Sequence, residues 1–173
     1  QNLRPGCVCI DCTLGGAGHA LAALKAIRPG GKLIGIDQDM DAIVNARKVL
    51  RPFGNSVQLF HSNFSDLAQI LNTARIEGAD SILLDLGFSL NQLVNGKRGF
   101  SFKKNEPLDM RMDVRNNITA AQVINTYAEK ELTDIFFAYG EEKFSRRIAA
   151  RIVRTRTDSP IETSLQLADL VAS

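Results

Sequence analysis

The stretch Asp11–His19, DCTLGGAGH, places Gly15, Gly16 and Gly18 directly behind an apolar run at residues 7–10. In doubly wound sheets a glycine-rich turn joins the first buried strand to the first helix, and ligands lie beyond the carboxyl ends of the strands. Glycines there let a ligand approach the backbone, and the helix that follows presents free N–H groups. A tight turn without a ligand would use the same residues, so this stretch alone leaves both interpretations open.

The rest of the first half alternates between two kinds of pattern. Apolar runs at 7–12, 32–37, 57–61 and 81–86 predict four strands, and amphipathic stretches between them predict helices. Ser65 is the predicted N-cap of the third helix. Strand–helix alternation with nearly continuous apolar strands favours an α/β fold with a parallel sheet covered on both faces.

The second half has a different organisation. Residues 97–117 lack periodicity but keep several large apolar side chains, so we predict an ordered functional loop there. The segment Thr119–Gln122 fits a capping box and begins a helical region. Apolar stripes predict its packed helices: Leu132, Ile135, Phe136 and Tyr139 form one, and Phe144, Ile148 and Ile152 form another. The predicted organisation is therefore an α/β ligand-binding half at 1–96, the loop at 97–117 and a helical subdomain at 118–173.

Charge and cysteine content bear on two kinds of site, a phosphate-binding surface and a metal site. The net charge is only +2, but residues 143–156 carry six basic side chains and no acidic one. Such a segment is typical of a surface that meets phosphate, or of a solvated helix face. Cys7, Cys9 and Cys12 lack the paired spacing of a zinc site, so we expect buried thiols in a reducing compartment and no metal.

Acidic residues follow the second and fourth predicted strands. Asp37 lies 22 residues after Gly15, where a carboxylate can accept hydrogen bonds from the ribose of a nucleoside-bearing cofactor. The third glycine of a dinucleotide fingerprint would fall on Leu21, which is bulky. This departure favours S-adenosylmethionine and leaves a nicotinamide dehydrogenase as the weaker alternative. Asp85, after the fourth strand, could hold a target amine or the cofactor's amino group, or it could cap the next turn.

Five segments, in order along the chain, carry a family resemblance: DCTLGGAGH, GIDQD, LLDLGFSLNQL, RGFSFKKNEPLDMRMD and YGEEKFSRRIAARI. Together they resemble the small-subunit ribosomal RNA cytosine-N4 methyltransferases, the MraW or RsmH family. The resemblance implies S-adenosylmethionine-dependent methylation of the exocyclic amine of a cytidine. It also implies a Rossmann-like class I methyltransferase sheet with a helical subdomain after the fourth strand. The family's N-terminal and C-terminal segments, including the remaining strands, are expected to be missing here.

The resemblance also implies roles for individual residues. Cofactor contacts are expected at Ala17, Gly18, His19, Asp37, Phe64, Asp85 and Gln92. Phe64 follows the third strand, where an aromatic ring can cover an adenine, although it could equally be an ordinary core residue. Catalytic roles are expected for Asp85 and Ser89. RNA contacts are expected at Arg98, Lys103, Lys104, Arg111, Arg147 and Arg151.

Differences from the family pattern leave a second function open. Phe88, Leu90 and Asn91 replace the usual valine, serine and proline after the fourth strand. The alternative is therefore a methyltransferase-like protein that binds RNA in ribosome assembly but has lost turnover. The expected partner in both cases is small-subunit ribosomal RNA in an assembled subunit, with no membrane and with a homodimer left open. The resemblance implies a bacterial cytoplasmic location, with an organellar matrix as the alternative.

Overall fold

The computed structural model describes residues 3–95 and 97–172, and it divides between Asn91 and Gln92 into two compact units. The predicted segment limits at residues 1, 96 and 173 lie outside the described residues. Within these ranges, no helix combines the length and the apolar character that crossing a membrane requires.

The first unit contains four strands and three helices, as the alternation predicts. The strands are β1 Val8–Asp11, β2 Lys32–Asp37, β3 Val57–His61 and β4 Ser81–Leu83. They are all parallel and lie in the order β3-β2-β1-β4. The helices are α1 Gly18–Ile27, α2 Met40–Val49 and α3 Leu67–Ala74. The predicted Rossmann-like α/β sheet is confirmed.

Both faces of this sheet are covered over β1 and β2, where buried side chains lie on the two faces in turn, whereas Ile82 of β4 is 47% exposed. Leu33 packs with α1 and α2 on one face, whereas Ile34 and Ile36 pack with α3 on the other. Asp11 lies opposite Gly35 in the β1–β2 register. A Cβ on Gly35 would lie within 2.8 Å of the Leu14 side chain, so this glycine makes room for the turn that follows β1.

Two local predictions in the first unit are wrong. The fourth strand ends at Leu83 rather than at residue 86. The backbone N–H of Asp85 instead donates to the Thr13 hydroxyl at 2.8 Å, a side-chain acceptor in place of a backbone carbonyl. Ser65 is not the N-cap of α3, because a 3₁₀ turn at Phe64–Asp66 comes first and is capped by the side chain of Asn63.

The second unit is helical, as predicted. Its helices are α5 Ala120–Thr126, α6 Glu129–Gly140, α7 Ser145–Asp158 and α8 Ser164–Ala172, and the short helix α4 Leu90–Asn95 spans the boundary. The Thr119 hydroxyl accepts from the Gln122 N–H at 3.1 Å, which confirms the predicted cap of α5. Leu132 of α6 and Ile152 of α7 are fully buried in the core of this unit.

The predicted apolar stripes of α6 and α7 each include one exposed residue. Tyr139 is 87% exposed and Phe144 is 57% exposed. Tyr139 stands at the last turn of α6 and Phe144 directly precedes α7. Periodicity places both on the packed faces, but these positions lie beyond the part of the helix pair that is covered.

Candidate functional site

The glycine turn after β1 has a backbone shape that a ligand can approach. Gly15 has φ +46°, and Ala17, which is fully buried, also lies in the left-handed region at φ 63°. The Ala17 N–H donates to the Leu14 carbonyl at 2.6 Å, which closes the turn directly before α1. A Cβ on Gly16 or Gly18 would meet no described atom within 4 Å. Of the predicted cofactor residues, Gly18 and His19 are exposed and border open space, whereas Ala17 is buried.

Asp37 fixes this turn from the end of β2. Its Oδ2 accepts from the Gly15 N–H at 2.9 Å, and its Oδ1 accepts from the Asp39 N–H at 2.9 Å. Burial raises the pKa of the Asp37 carboxyl, although hydrogen bonds from the backbones of Asp39, Gly15 and Gln38 oppose that shift. A carboxylate offers about four acceptor positions. With three backbone donors, about one position remains for a ribose hydroxyl, and the ribose contact stays a prediction.

Asp85 and Ser89 come to the same edge of the sheet. Asp85 Oδ2 lies 3.6 Å from His19 Nδ1, and about two thirds of each side chain is exposed. A Cβ on Gly15 would lie 3.3 Å from Ser89 Cβ, so Ser89 adjoins the glycine turn. The structure thus brings together Asp37, His19, Asp85 and Ser89, which the sequence places in three separate segments.

Asp11 is a site residue that the sequence reasoning missed. It ends β1 and is 2% exposed. Its Oδ1 accepts from the Thr13 N–H at 3.1 Å, whereas Oδ2 has no hydrogen-bond partner among the described residues. Burial raises the pKa of the Asp11 carboxyl; His19 opposes the shift, and Asp37 and Asp85 add to it. An acidic residue directly between a buried strand and a glycine turn was the signal that could have found it.

Three carboxyl groups therefore converge beyond the ends of β1, β2 and β4, on Asp11, Asp37 and Asp85. A concentration of negative charge attracts a cation and repels a polyanion. These acceptors and their negative charge fit a sulfonium with an ammonium group and ribose hydroxyls, whereas they do not fit the pyrophosphate of a dinucleotide. This electrostatic argument is independent of the bulky Leu21 and agrees with it.

Phe64 and Gln92 are the two remaining predicted cofactor residues. Phe64 follows β3 in the 3₁₀ turn and is 38% exposed, so its ring has a free surface. The loop that carries it is tied to the end of β2, because the Asn63 side chain donates to the Gln38 side chain at 3.1 Å. Gln92 belongs to the second unit, where it is buried. Their contacts with a cofactor stay predictions.

The predicted RNA-binding cations between residues 98 and 111 differ in their surroundings. Arg98 is 9% exposed and donates to the carbonyls of Arg111 and Met112. Arg111 makes a bidentate pair with Asp109 and also donates to two loop carbonyls, and this pair lowers the pKa of the Asp109 carboxyl. Both guanidinium groups thus order the predicted loop. Lys103 and Lys104 are exposed, and the Lys104 ammonium also donates to the Val94 carbonyl.

The basic residues of α7 also divide into two groups. Arg147 is exposed and Arg151 is half-buried, and neither forms an ion pair among the described residues. Arg156 instead donates to the carbonyls of Ile124 and Tyr127, both at 2.7 Å, and so fastens α7 to the end of α5. The RNA roles of Arg147 and Arg151 stay predictions, and Arg156 has a structural task.

The three cysteines are buried and free, and burial raises the pKa of the Cys9 and Cys12 thiols. Within residues 3–95 and 97–172, no group of three histidine, cysteine or acidic side chains has the arrangement of a metal site. The thiols of Cys9 and Cys12 thus belong to the two sides of the sheet core rather than to the carboxyl cluster.

Comparison with known proteins gives one consistent family. The model of the MraW methylase family matches residues 2–173. A ribosomal RNA small subunit methyltransferase H from Desulforapulum autotrophicum is 57% identical over 98% of this chain and 54% of its own length. Proteins of the same name from Desulfosudis oleivorans and Syntrophotalea carbinolica are 47% and 49% identical, over 98% and 97% of this chain and 54% of their own lengths. The chain thus spans about half the length of these curated relatives.

Replacement of Asp11 by asparagine should change stability in a pH-dependent way. Because its pKa is raised, the folded state keeps the Asp11 proton to higher pH than the unfolded state does. The stability that this group contributes therefore falls as pH rises from about 4 through the raised pKa. Asp11→Asn lacks this dependence. The free energy of unfolding of the variant, relative to that of the unsubstituted protein, should therefore increase as pH rises across this range. Urea unfolding of both proteins at several pH values measures the difference.

A difference that stays constant between about pH 4 and 7 would contradict this assignment. Asp37→Asn provides a second case with the same expected direction, since burial also raises the pKa of Asp37.

Proposed function

The chain belongs to the MraW methylase family, and we propose from this premise that it transfers a methyl group from S-adenosylmethionine to small-subunit ribosomal RNA. The finer proposal is that the acceptor is the exocyclic N4 amine of a cytidine. The observation that carries the proposal is the convergence of Asp11, Asp37 and Asp85 around an open glycine turn. The names of the relatives support ribosomal RNA as the substrate.

The residues of this chain have distinct tasks in the proposed site. The glycine turn borders the methionine end of the cofactor, and Asp37 accepts hydrogen bonds from the ribose while it holds Gly15 in place. Phe64 covers one face of the adenine. When bound, S-adenosylmethionine supplies a methyl group on a positively charged sulfur.

Asp85 acts on the acceptor amine. The lone pair of an exocyclic amine is delocalised into the base, which makes the nitrogen a poor nucleophile. Carboxylate oxygens that accept from the amine N–H groups orient the nitrogen towards the methyl group and stabilise the positive charge that develops on it. The Thr13 hydroxyl fixes the backbone of Asp85 at 2.8 Å, and Ser89 offers a second polar group beside Gly15.

Binding and transfer measurements test the proposal directly. Calorimetric titration should show binding of S-adenosylmethionine and none of NAD. Radiolabelled methyl transfer to assembled small subunits, followed by mass spectrometry of the nucleosides, should show N4-methylcytidine. Asp85→Asn should lower the transfer rate by about a hundredfold, the usual effect of misplacing a reacting group. Cofactor binding without transfer would favour the assembly-protein alternative, and binding of NAD alone would reject the proposal.

Asp37→Ala should weaken S-adenosylmethionine binding by at least about tenfold, because a hydrogen bond to a charged group is worth about 1.5–3 kcal/mol. Part of that loss would come from release of Gly15 rather than from the ribose. An analogue without the ribose hydroxyls separates the two causes. Compared with S-adenosylmethionine, it should bind the unsubstituted protein more weakly but bind Asp37→Ala with nearly the same affinity. If removal of the ribose hydroxyls lowers the affinity equally in both proteins, the ribose contact is rejected.

The double variant Arg147→Glu and Arg151→Glu should bind RNA more weakly and with a shallower salt dependence. Each phosphate contact that is removed should lower the slope of log affinity against log salt by about 0.7 for a single strand. The matched control is Arg47→Glu with Lys48→Glu, which makes the same change in net charge on exposed residues of α2. Fluorescence anisotropy at several salt concentrations measures both slopes. Equal slopes in the two variants would contradict RNA binding by α7 and favour the interpretation of its basic face as a solvated surface.

A further inference from the structure

Two aromatic rings at the turn between α6 and α7 lie in solvent, although the sequence places them on packed faces. Tyr139 follows the fully buried Leu132 by seven residues, and Phe144 precedes the buried Ile148 by four. These spacings put each ring on the same side of its helix as the buried residue. The covered part of the helix pair ends before it reaches Tyr139 and Phe144, so both rings remain free to contact another molecule.

Phe144 already carries a cation on its ring. The guanidinium carbon of Arg147 lies 4.7 Å from the ring centroid, within the range of a cation–π interaction. Arginine is planar and weakly hydrated, so it stacks on aromatic rings and on nucleobases alike. The Phe144–Arg147 pair is therefore a preformed flat surface on which a base can stack.

A row of arginines continues from this pair along α7. Arg147, Arg151 and Arg154 follow each other at intervals of four and three residues, which places them on one face of the helix. They extend over about 10 Å of the helix axis at 1.5 Å per residue. The segment from residue 143 to residue 157 contains no acidic side chain. We refer to these three residues as the arginine row.

The charge of the arginine row is not neutralised within the described part of the chain. None of its three guanidinium groups has an ion pair or a hydrogen bond to another described residue. Arg156, nine residues after Arg147, is on the opposite side of the helix and donates to backbone carbonyls of α5. The arginine row thus differs from Arg156, because none of its guanidinium groups joins α7 to another helix by a hydrogen bond or an ion pair to a described residue.

We propose that the Phe144–Arg147 pair and the arginine row bind a single-stranded segment of RNA. One base stacks on the pair, and the phosphates that follow it lie along Arg151 and Arg154. Sequence-tolerant binding of single strands combines these two features, a cationic track and an aromatic surface for stacking. A duplex keeps its bases stacked inside and offers no free base to the ring. This inference rests on the proposed function only in the choice of RNA as the partner.

The test compares RNA strands that differ in their bases. The probes are a mixed-sequence single strand of about 12 nucleotides, an abasic strand of the same length and a blunt-ended duplex of two strands, each measured by fluorescence anisotropy. The unsubstituted protein should bind the base-containing strand more tightly than the other two. Phe144→Ala should lose about tenfold in affinity for that strand and little for the abasic one, with an unchanged salt slope. Phe144→Trp should restore the preference.

Phe137→Ala is the matched control. Phe137 is 67% exposed on α6, close in sequence to the Lys130–Asp134 ion pair, and no arginine covers its ring in the part of the chain that the structure describes. Its replacement removes the same amount of aromatic surface without touching the Phe144–Arg147 pair. The preference for the base-containing strand should therefore stay unchanged. Arg147→Lys keeps the charge but loses the planar group, so it should weaken the preference and leave the salt slope unchanged.

Three results would overturn the inference. The first is a Phe144→Ala protein that keeps the preference, and the second is duplex binding as tight as single-strand binding. The third is self-association that Phe144→Ala abolishes while RNA affinity stays unchanged, which would assign the surface to a protein interface. Titration with S-adenosylmethionine on the same samples separates this inference from the proposed function. A protein that binds the cofactor but shows no base preference refutes only the inference, and the reverse result refutes only the proposed function.

Discussion

The hydrogen bond from the Gly15 N–H to the Asp37 carboxylate is the contact on which the candidate site depends. It joins the turn after β1 to the end of β2, and it does so across neighbouring parallel strands whose carboxyl ends share one edge of the sheet. The second oxygen of the same carboxylate accepts from the Asp39 N–H, directly before α2. One side chain therefore sets the left-handed geometry of the glycine turn and the entry to the next helix.

The cluster of carboxyl groups is costly for folding and useful for binding. Burial raises the pKa of Asp11 and of Asp37, which means that the folded protein disfavours their charged forms. One oxygen of Asp11 has no hydrogen-bond partner among the described residues. Unfavourable electrostatics of this kind are typical of functional sites, and a ligand with positive charge relieves them. The same physical fact thus explains the raised pKa values and supports the proposed preference for a sulfonium over a pyrophosphate.

The sequence predicted the sheet well because its strands are apolar runs separated by amphipathic helices, and burial on two faces needs little else. It failed where a side chain competes with the pattern. The Thr13 hydroxyl accepts from the Asp85 N–H where β4 ends early. Asn63 caps a 3₁₀ turn that precedes α3, the helix for which Ser65 is the predicted N-cap. Asp37 and Asp85 could be predicted as site residues because they end apolar runs. Asp11 has the same position in the structure, but the apolar run at 7–12 extends past it, so the pattern does not mark it as a strand end.

The arginines of α7 show that composition does not give the position of a charged residue around a helix. Residues 143–156 count as one basic segment, yet Arg147 and Arg156 are nine residues apart, which is two and a half turns of helix. Arg156 therefore points towards α5 and satisfies its carbonyls, whereas Arg147 covers the ring of Phe144 at the solvent side. The helical period that predicts which apolar residues are buried applies equally to charged residues. Applied to this segment, it separates an arginine that holds the fold together from a row of arginines that the fold leaves available for a phosphate backbone.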